Sequence, residues 1–167
     1  MARLLGAEVT SGQLAVRAVL AVVFGGLAFL VFYYLPVSAA GLVKQVAGPA
    51  NASVASVVNG LVSPDLPAIG AAVAALVFLG VFLRGTKAYG PILIAAGAAF
   101  LAYFYVALQG GTITLALPQG IQYSASGNIS IGVADLMYLL MVAPALTIVK
   151  GAVLTATKPG DGKTPPA

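Results

Sequence analysis

Residues Leu14–Leu35 read LAVRAVLAVVFGGLAFLVFYYL, a run whose single charge, Arg17, lies near its start. A bilayer-spanning helix needs about 20 apolar residues, within a range of roughly 17 to 25. This stretch meets that requirement on its own. Three more runs follow it. Leu66–Leu83 and Ala88–Leu108 carry no charge, and Ile131–Val149 holds Asp135 near one end and is followed by Lys150. In hydrocarbon every backbone N–H and C=O must find its partner inside the segment, so these runs are predicted to be helices. Strands of a membrane barrel are about 10 residues long and alternate in polarity, which these runs do not.

The composition agrees. Of 167 residues, 60% are hydrophobic and 7% charged, with a mean hydropathy of +1.04. Soluble domains carry about 25% charged residues. A chain this apolar has too little polar surface to face water on all sides.

Cys, His and Trp are absent. Disulfides, metal sites built on Cys or His, His-ligated haem and Cys or His nucleophile–base pairs are therefore excluded. The only acids are Glu8, Asp65, Asp135 and Asp161. No catalytic, cofactor or metal residue can be assigned, and an enzyme is the reading the sequence favours least.

Lys and Arg set the orientation. With four crossings, Arg3, Arg17, Arg84, Lys87, Lys150, Lys158 and Lys163 fall on one side and Lys44 alone on the other. Both termini are thus expected to be cytoplasmic. Aromatic clusters mark the opposite ends of the first and third helices: Phe29, Phe32, Tyr33 and Tyr34, then Phe100, Tyr103, Phe104 and Tyr105. Tyr at headgroup level is expected of an interfacial belt. Two N-x-Ser sequons, starting at Asn51 and Asn128, fall on the same outer side and are candidate glycosylation sites. Val37 and Ala39 fit the small positions of a signal-peptide cleavage site. The apolar run exceeds the usual 7 to 15 residues, so the segment is read as a retained helix.

The outer segment 36–65 repeats apolar residues at helical spacing: Ala39, Leu42, Val43 and Val46, then Val54, Val57, Val58 and Leu61. Gly48-Pro49 divides the two patterns, and Asn51 suits the cap of the second. Two short amphipathic helices are expected, Ser38–Ala47 and Asn51–Val62. They either lie on the outer face of the bilayer or form a re-entrant hairpin lining a pore, where irregular backbone at depth is surrounded by protein or water. Segment 109–130 alternates over Thr112–Leu117 and Ile121–Ala125 around Pro118-Gln-Gly120, a β-hairpin pattern. A lone hairpin is only marginally stable, so it is expected to rest on other parts or on a partner.

Loop 84–87 is short and forces helices two and three into an antiparallel pair. Gly70, Ala71, Ala74 and Ala75 on one, with Ala95, Ala98, Ala99 and Ala102 on the other, offer close approach in lipid. Residues 28–34 (AFLVFYY) resemble 99–105 (AFLAYFY), and Gly26 matches Gly97 at the same offset of 71. Two tandem two-helix units would produce that pattern; so would biased composition.

Asp135 is the one ionisable group of interest within a span, because such groups are costly in lipid and often functional. Its place about one turn from the outer end equally lets it reach water or Lys44. Arg17 and Lys150 read as snorkelling anchors. Pro144 is expected to bend the fourth helix and free the Leu140 carbonyl. Gly160-Asp-Gly-Lys-Thr164 imitates the end of a phosphate loop, but Thr157 stands where that pattern needs Gly, and no strand precedes it. The net charge of +4 is scattered along membrane edges and does not point to nucleic acid.

The expectation is an all-α integral membrane protein with four transmembrane helices and a small extracellular cap of two amphipathic helices and a β-hairpin. Its parts are a cytoplasmic N-terminus (1–13), helix one (14–35), the outer amphipathic segment (36–65), helix two (66–83), a cytoplasmic loop (84–87), helix three (88–108), the outer hairpin (109–130), helix four (131–149) and a cytoplasmic tail (150–167). Its partners are the lipid bilayer and other membrane subunits. The leading functional reading is a non-catalytic, multi-pass accessory subunit of a larger complex in the cell membrane, for which a respiratory or other energy-transducing assembly is the commonest home. Two alternatives stay open. One is a small oligomeric channel or transporter using Gly48-Pro49 and Asp135. The other is a surface or envelope protein whose outer hairpin binds an extracellular partner.

Overall fold

Proline at position 36 is the first place where the chain's local chemistry and its packing meet. A computed structural model describes residues 2–4, 7–9, 11–47, 63–116 and 128–157. In it α1 (Ser11–Phe29) runs through a π-helical segment (Leu30–Tyr34) into α2 (Leu35–Ala47) without a break. Pro36 has no N–H for the carbonyl of Phe32, four residues back, and its ring crowds that oxygen. The backbone widens there, and the Leu35 N–H donates to the Leu30 carbonyl instead. The sequence reading ended the first helix at Leu35 and began a separate amphipathic helix at Ser38. The π segment absorbs the proline, so the helix continues.

The Phe32 carbonyl meets α3 (Leu66–Phe82) at Gly70. A Cβ on Gly70 would overlap the Phe32 oxygen and lie 2.6 Å from its carbonyl carbon. The glycine hydrogen in that direction faces the oxygen, a contact of about 0.5–1 kcal/mol. Lower down, Gly25 faces Phe78, whose Cβ lies 2.8 Å from a Cβ placed on the glycine. Ala21, Gly25 and Ala28 form the narrow buried stripe of α1.

A tight turn joins α3 to α4 (Tyr89–Ala107). Gly85 adopts φ +82°, the left-handed conformation that ends many helices. Thr86 is buried, and its hydroxyl donates to the Leu83 carbonyl at 2.7 Å. Replacing Gly85 by Ala imposes a left-handed residue with a Cβ, costing about 1–2 kcal/mol. The expected result is a lower melting temperature in detergent, with the helix content of the folded protein unchanged by circular dichroism.

α4 packs against α3 on one side and α5 (Ala134–Ala156) on the other. The α4–α5 seam is made by glycines. Cβ atoms on Gly97 and Gly151 would meet the Pro144 and Gly90 carbonyls, each at 2.8 Å. Small residues at such seams let helices approach closely in lipid. Buried positions recur every seven residues on α1, α3, α4 and α5: Ala21 and Ala28, Leu66 and Val73, Gly90 and Gly97, Met137 with Pro144 and Gly151. That is the period of a left-handed seam. The small-residue contact expected between α3 and α4 is corrected here: Gly70 meets Phe32 of α1, Gly90 and Gly97 face α5, and Ala75, Ala95, Ala98 and Ala102 are exposed.

Between α4 and α5 the chain turns through Gln109, Gly110 and Gly111, all at positive φ, into β3 (Thr112–Ala116). β3 pairs antiparallel with β4 (Asn128–Gly132). The hairpin exists, and the strand that pairs with Thr112–Ala116 is 128–132; the expected strand Ile121–Ala125 lies outside the described residues. This register aligns Ile113 with Ile131, Leu115 with Ile129 and Thr114 with Ser130, so apolar positions oppose apolar and hydroxyls oppose hydroxyls. The strand takes Ile131 and Gly132 from the expected fourth helix, which begins at Ala134 and carries Lys150 inside it. A second, smaller hairpin, β1 (Ala2–Leu4) with β2 (Ala7–Val9), stands at the N-terminus and was not expected. The fold is therefore mostly helical with short hairpins rather than all-α. The second amphipathic helix, Asn51–Val62, and the tail beyond Thr157 lie outside the described residues.

Three helices are long and apolar enough to cross a membrane: Gly12–Ala39, Tyr89–Ala107 and Ala134–Ala156. α3 is a shorter apolar helix of 17 residues. Large apolar side chains cover most of the outward surface of α1 and α5, including Val19, Val23, Leu27, Leu139, Leu146 and Val153. Such a surface suggests a membrane-embedded protein.

Candidate functional site

Two regions bring chemistry-bearing residues together, one at each end of the helices. At the end where α3 and α5 begin, which the sequence reading expects to be the outer one, the π segment places Phe32 edge-on to Phe100 and Tyr103, with ring centroids 5.2 and 5.0 Å apart. Tyr103, Leu66 and Val73 form the buried core here, packed by Phe32, Ile69, Val77 and Phe104. Phe32 and Tyr103 are equivalent positions in the sequence repeat of offset 71, and they touch each other.

Asp135 is the second residue of α5 and is exposed. β4 ends at Gly132, so Asp135 stands at the very start of α5 rather than a turn inside it. In the first turn a carboxylate is favoured by the helix dipole, by about 0.3–1 kcal/mol. Asp135 is the acid of that first turn. Asn128 opens β4 opposite Ala116, and Asn51 and Gly48-Pro49 lie outside the described residues. The pore-lining arrangement therefore has only Asp135 among the described residues. Among those residues no group of three or more acids, His or Cys comes together.

At the inner end the cations converge. The Arg17 guanidinium lies beside Gly85, 3.5 Å from where a Cβ would stand. Arg84 and Lys87 are exposed in that same turn. Gly90 faces Gly151 and Thr155, which sets Lys150 within about a turn of this end. Asp65 and Asp135, at the starts of α3 and α5, stand at the opposite end.

Between the two ends a groove opens on one face of the molecule. α1, α3 and α4 line its inner part together with Thr147 of α5, and α4 and α5 line its outer part. Its inner part, about 360 Å³, starts at Arg84 and Tyr89 and passes Leu20, Phe24, Leu93 and Phe100. Its outer part, about 310 Å³, continues past Phe104 and Leu139 to Pro144. Phe100 and Thr147 belong to both. The Thr147 hydroxyl donates to the Ala143 carbonyl at 2.9 Å, so it adds little polarity to the wall. Sequence reasoning missed this groove. Arg84 was read only as a topology-setting charge, and nothing in a uniformly apolar helix says which residues will line a gap.

The chain matches no known protein-family model, no curated protein and no solved structure.

Proposed function

We propose that the chain is a non-catalytic, multi-pass subunit of a larger complex in the cell membrane, with four crossings and both termini cytoplasmic. The observation that carries this reading is the surface of α1. Only the stripe Ala21, Gly25 and Ala28 is covered, and Val16, Val19, Val23, Leu27 and Leu30 remain exposed. Lipid suits that surface, and so does the helix of a neighbouring subunit.

Two further features support it. β3 and β4 form a sheet of two strands among the described residues, and such a hairpin gains stability from a partner. Arg17 and Lys44 are separated by a continuous helix, roughly 40 Å along its axis at 1.5 Å per residue. A hydrocarbon core about 30 Å thick fits between them. The clustering of Arg17, Arg84 and Lys87 makes that end the cytoplasmic one under the positive-inside rule. α3, at 17 residues, is at the short limit for a span, and its packing against α1 and α4 supports reading it as a fourth crossing.

The test is release in mild detergent from native membranes, followed by native mass measurement. A particle containing other polypeptides is the expected result. A stable lone 16.6 kDa chain would contradict the subunit reading.

A further inference from the structure

We propose that the inner part of the groove holds one acyl chain of an anionic phospholipid, with the lipid phosphate against Arg84. The inference rests on the membrane-embedded reading and goes beyond it, since most of a membrane protein's surface meets lipid without selecting any one molecule.

Along α4 the inner groove runs from Tyr89 to Phe100, about 16 Å at 1.5 Å per residue. One leaflet of a hydrocarbon core about 30 Å thick is about 15 Å deep. The groove thus begins at a charged edge and ends near the bilayer midplane, as a single acyl chain does.

The space is about 360 Å³, and apart from Arg84, Tyr89 and Thr147 the side chains that line it are apolar. Unfilled apolar volume forfeits dispersion contacts on every wall.

Arg84 lines the mouth, with Arg17 beside Gly85 and Lys87 in the same turn. Asp65 and Asp135 are at the far end, and Glu8 stands opposite Arg3 in the β1–β2 register. The mouth therefore presents cations to the headgroup layer. Guanidinium also suits phosphate, because its planar fork donates two parallel hydrogen bonds. Tyr89 supplies a hydroxyl at the same level.

The experiment uses the full chain in nanodiscs of mixed phosphatidylcholine and phosphatidylglycerol. The protein is released into mild detergent and weighed intact by native mass spectrometry. One phosphatidylglycerol retained per chain, in preference to phosphatidylcholine, is the expected result. Arg84→Gln should lower that preference about fivefold, the equivalent of ~1 kcal/mol for one cation at a lipid surface. Gly80→Leu should remove retention of both lipids. A Cβ on Gly80 meets only the Ile92 Cγ2, at 3.8 Å, so the backbone tolerates a side chain that then fills the groove.

Equal retention of the two lipids, or an unchanged preference in Arg84→Gln, would overturn the headgroup assignment. Release of a chain carrying no lipid would overturn the site itself. A dimer that carries no lipid and is broken by Gly80→Leu would assign the groove to a second copy of the chain. Failure to enter nanodiscs at all would sink the membrane reading, and with it this one. Incorporation without selective retention would sink only this one.

Discussion

Gly70→Ala should unfold the outer half of the molecule more readily than any other single-methyl change. The added carbon would overlap the Phe32 carbonyl oxygen, with the carbonyl carbon at 2.6 Å and the Tyr33 nitrogen at 3.3 Å. All three atoms are backbone, so no rotamer change makes room. Either α1 and α3 separate or the π segment re-forms, and both disturb the contacts of Phe32 with Phe100 and Tyr103. Overpacking of this kind costs about 1–3 kcal/mol, and a backbone obstruction belongs at the upper end. Gly26→Ala is the matched control, since a Cβ there meets nothing within 4 Å. Removing a helical glycine is favourable by about 0.5–1 kcal/mol where space allows. Thermal unfolding in detergent should therefore move in opposite directions for the two variants. Parallel shifts would mean that Phe32 and Gly70 do not approach as described.

The second large effect separates lipid from water as the solvent of α1 and α5. Leu27 and Leu146 are 60% and 63% exposed, each near the middle of its apolar helix. In a protein facing water, Leu27→Arg and Leu146→Arg are surface changes within about 0.5 kcal/mol of neutral. In a bilayer each sets a guanidinium near the centre of the hydrocarbon, at about 3 kcal/mol per residue on insertion scales. Insertion of the isolated segment then falls on the order of 100-fold. Membrane-integrated protein should drop sharply for each variant in a quantitative membrane-fraction immunoblot. Arg at Gly12, close to the start of the span and with open space around it, should be tolerated. Unchanged levels for both central variants would contradict lipid contact on these faces.

The helical segments were legible because hydrocarbon leaves a chain few options. Long uncharged runs must hydrogen-bond internally, and that requirement shows in Leu66–Leu83 and Ala88–Leu108 without any knowledge of packing. The same uniformity hid the contact faces. A helix apolar all round has no amphipathic phase, so Ala95, Ala98 and Ala102 looked as suitable for burial as Gly90, Ala96 and Gly97. The seven-residue interval between Gly90 and Gly97 was the available signal, answered on α5 by Pro144 and Gly151.

Other differences are local chemistry outvoted by packing. Pro36 reads as a helix end, yet the π segment and Gly70 give the Phe32 carbonyl somewhere to go. Ile129 and Ile131 count towards an apolar run and also towards an alternating strand, and pairing with Thr112–Ala116 decides for the strand. The three-residue strands β1 and β2 are too short to show any period. Of the candidate sites, Asp135 was located to within a turn, but its surroundings depended on where β4 ends. The groove was invisible because its lining comes from four different helices.

The central claim is that lipid is the solvent for most of this chain, and an alkaline wash of native membranes tests it most directly. At high pH, peripheral proteins leave the bilayer, while those whose backbone is satisfied within it stay. The account predicts that the protein remains wholly in the sedimented membranes and enters solution only with detergent. Recovery of the protein in the alkaline supernatant would contradict it.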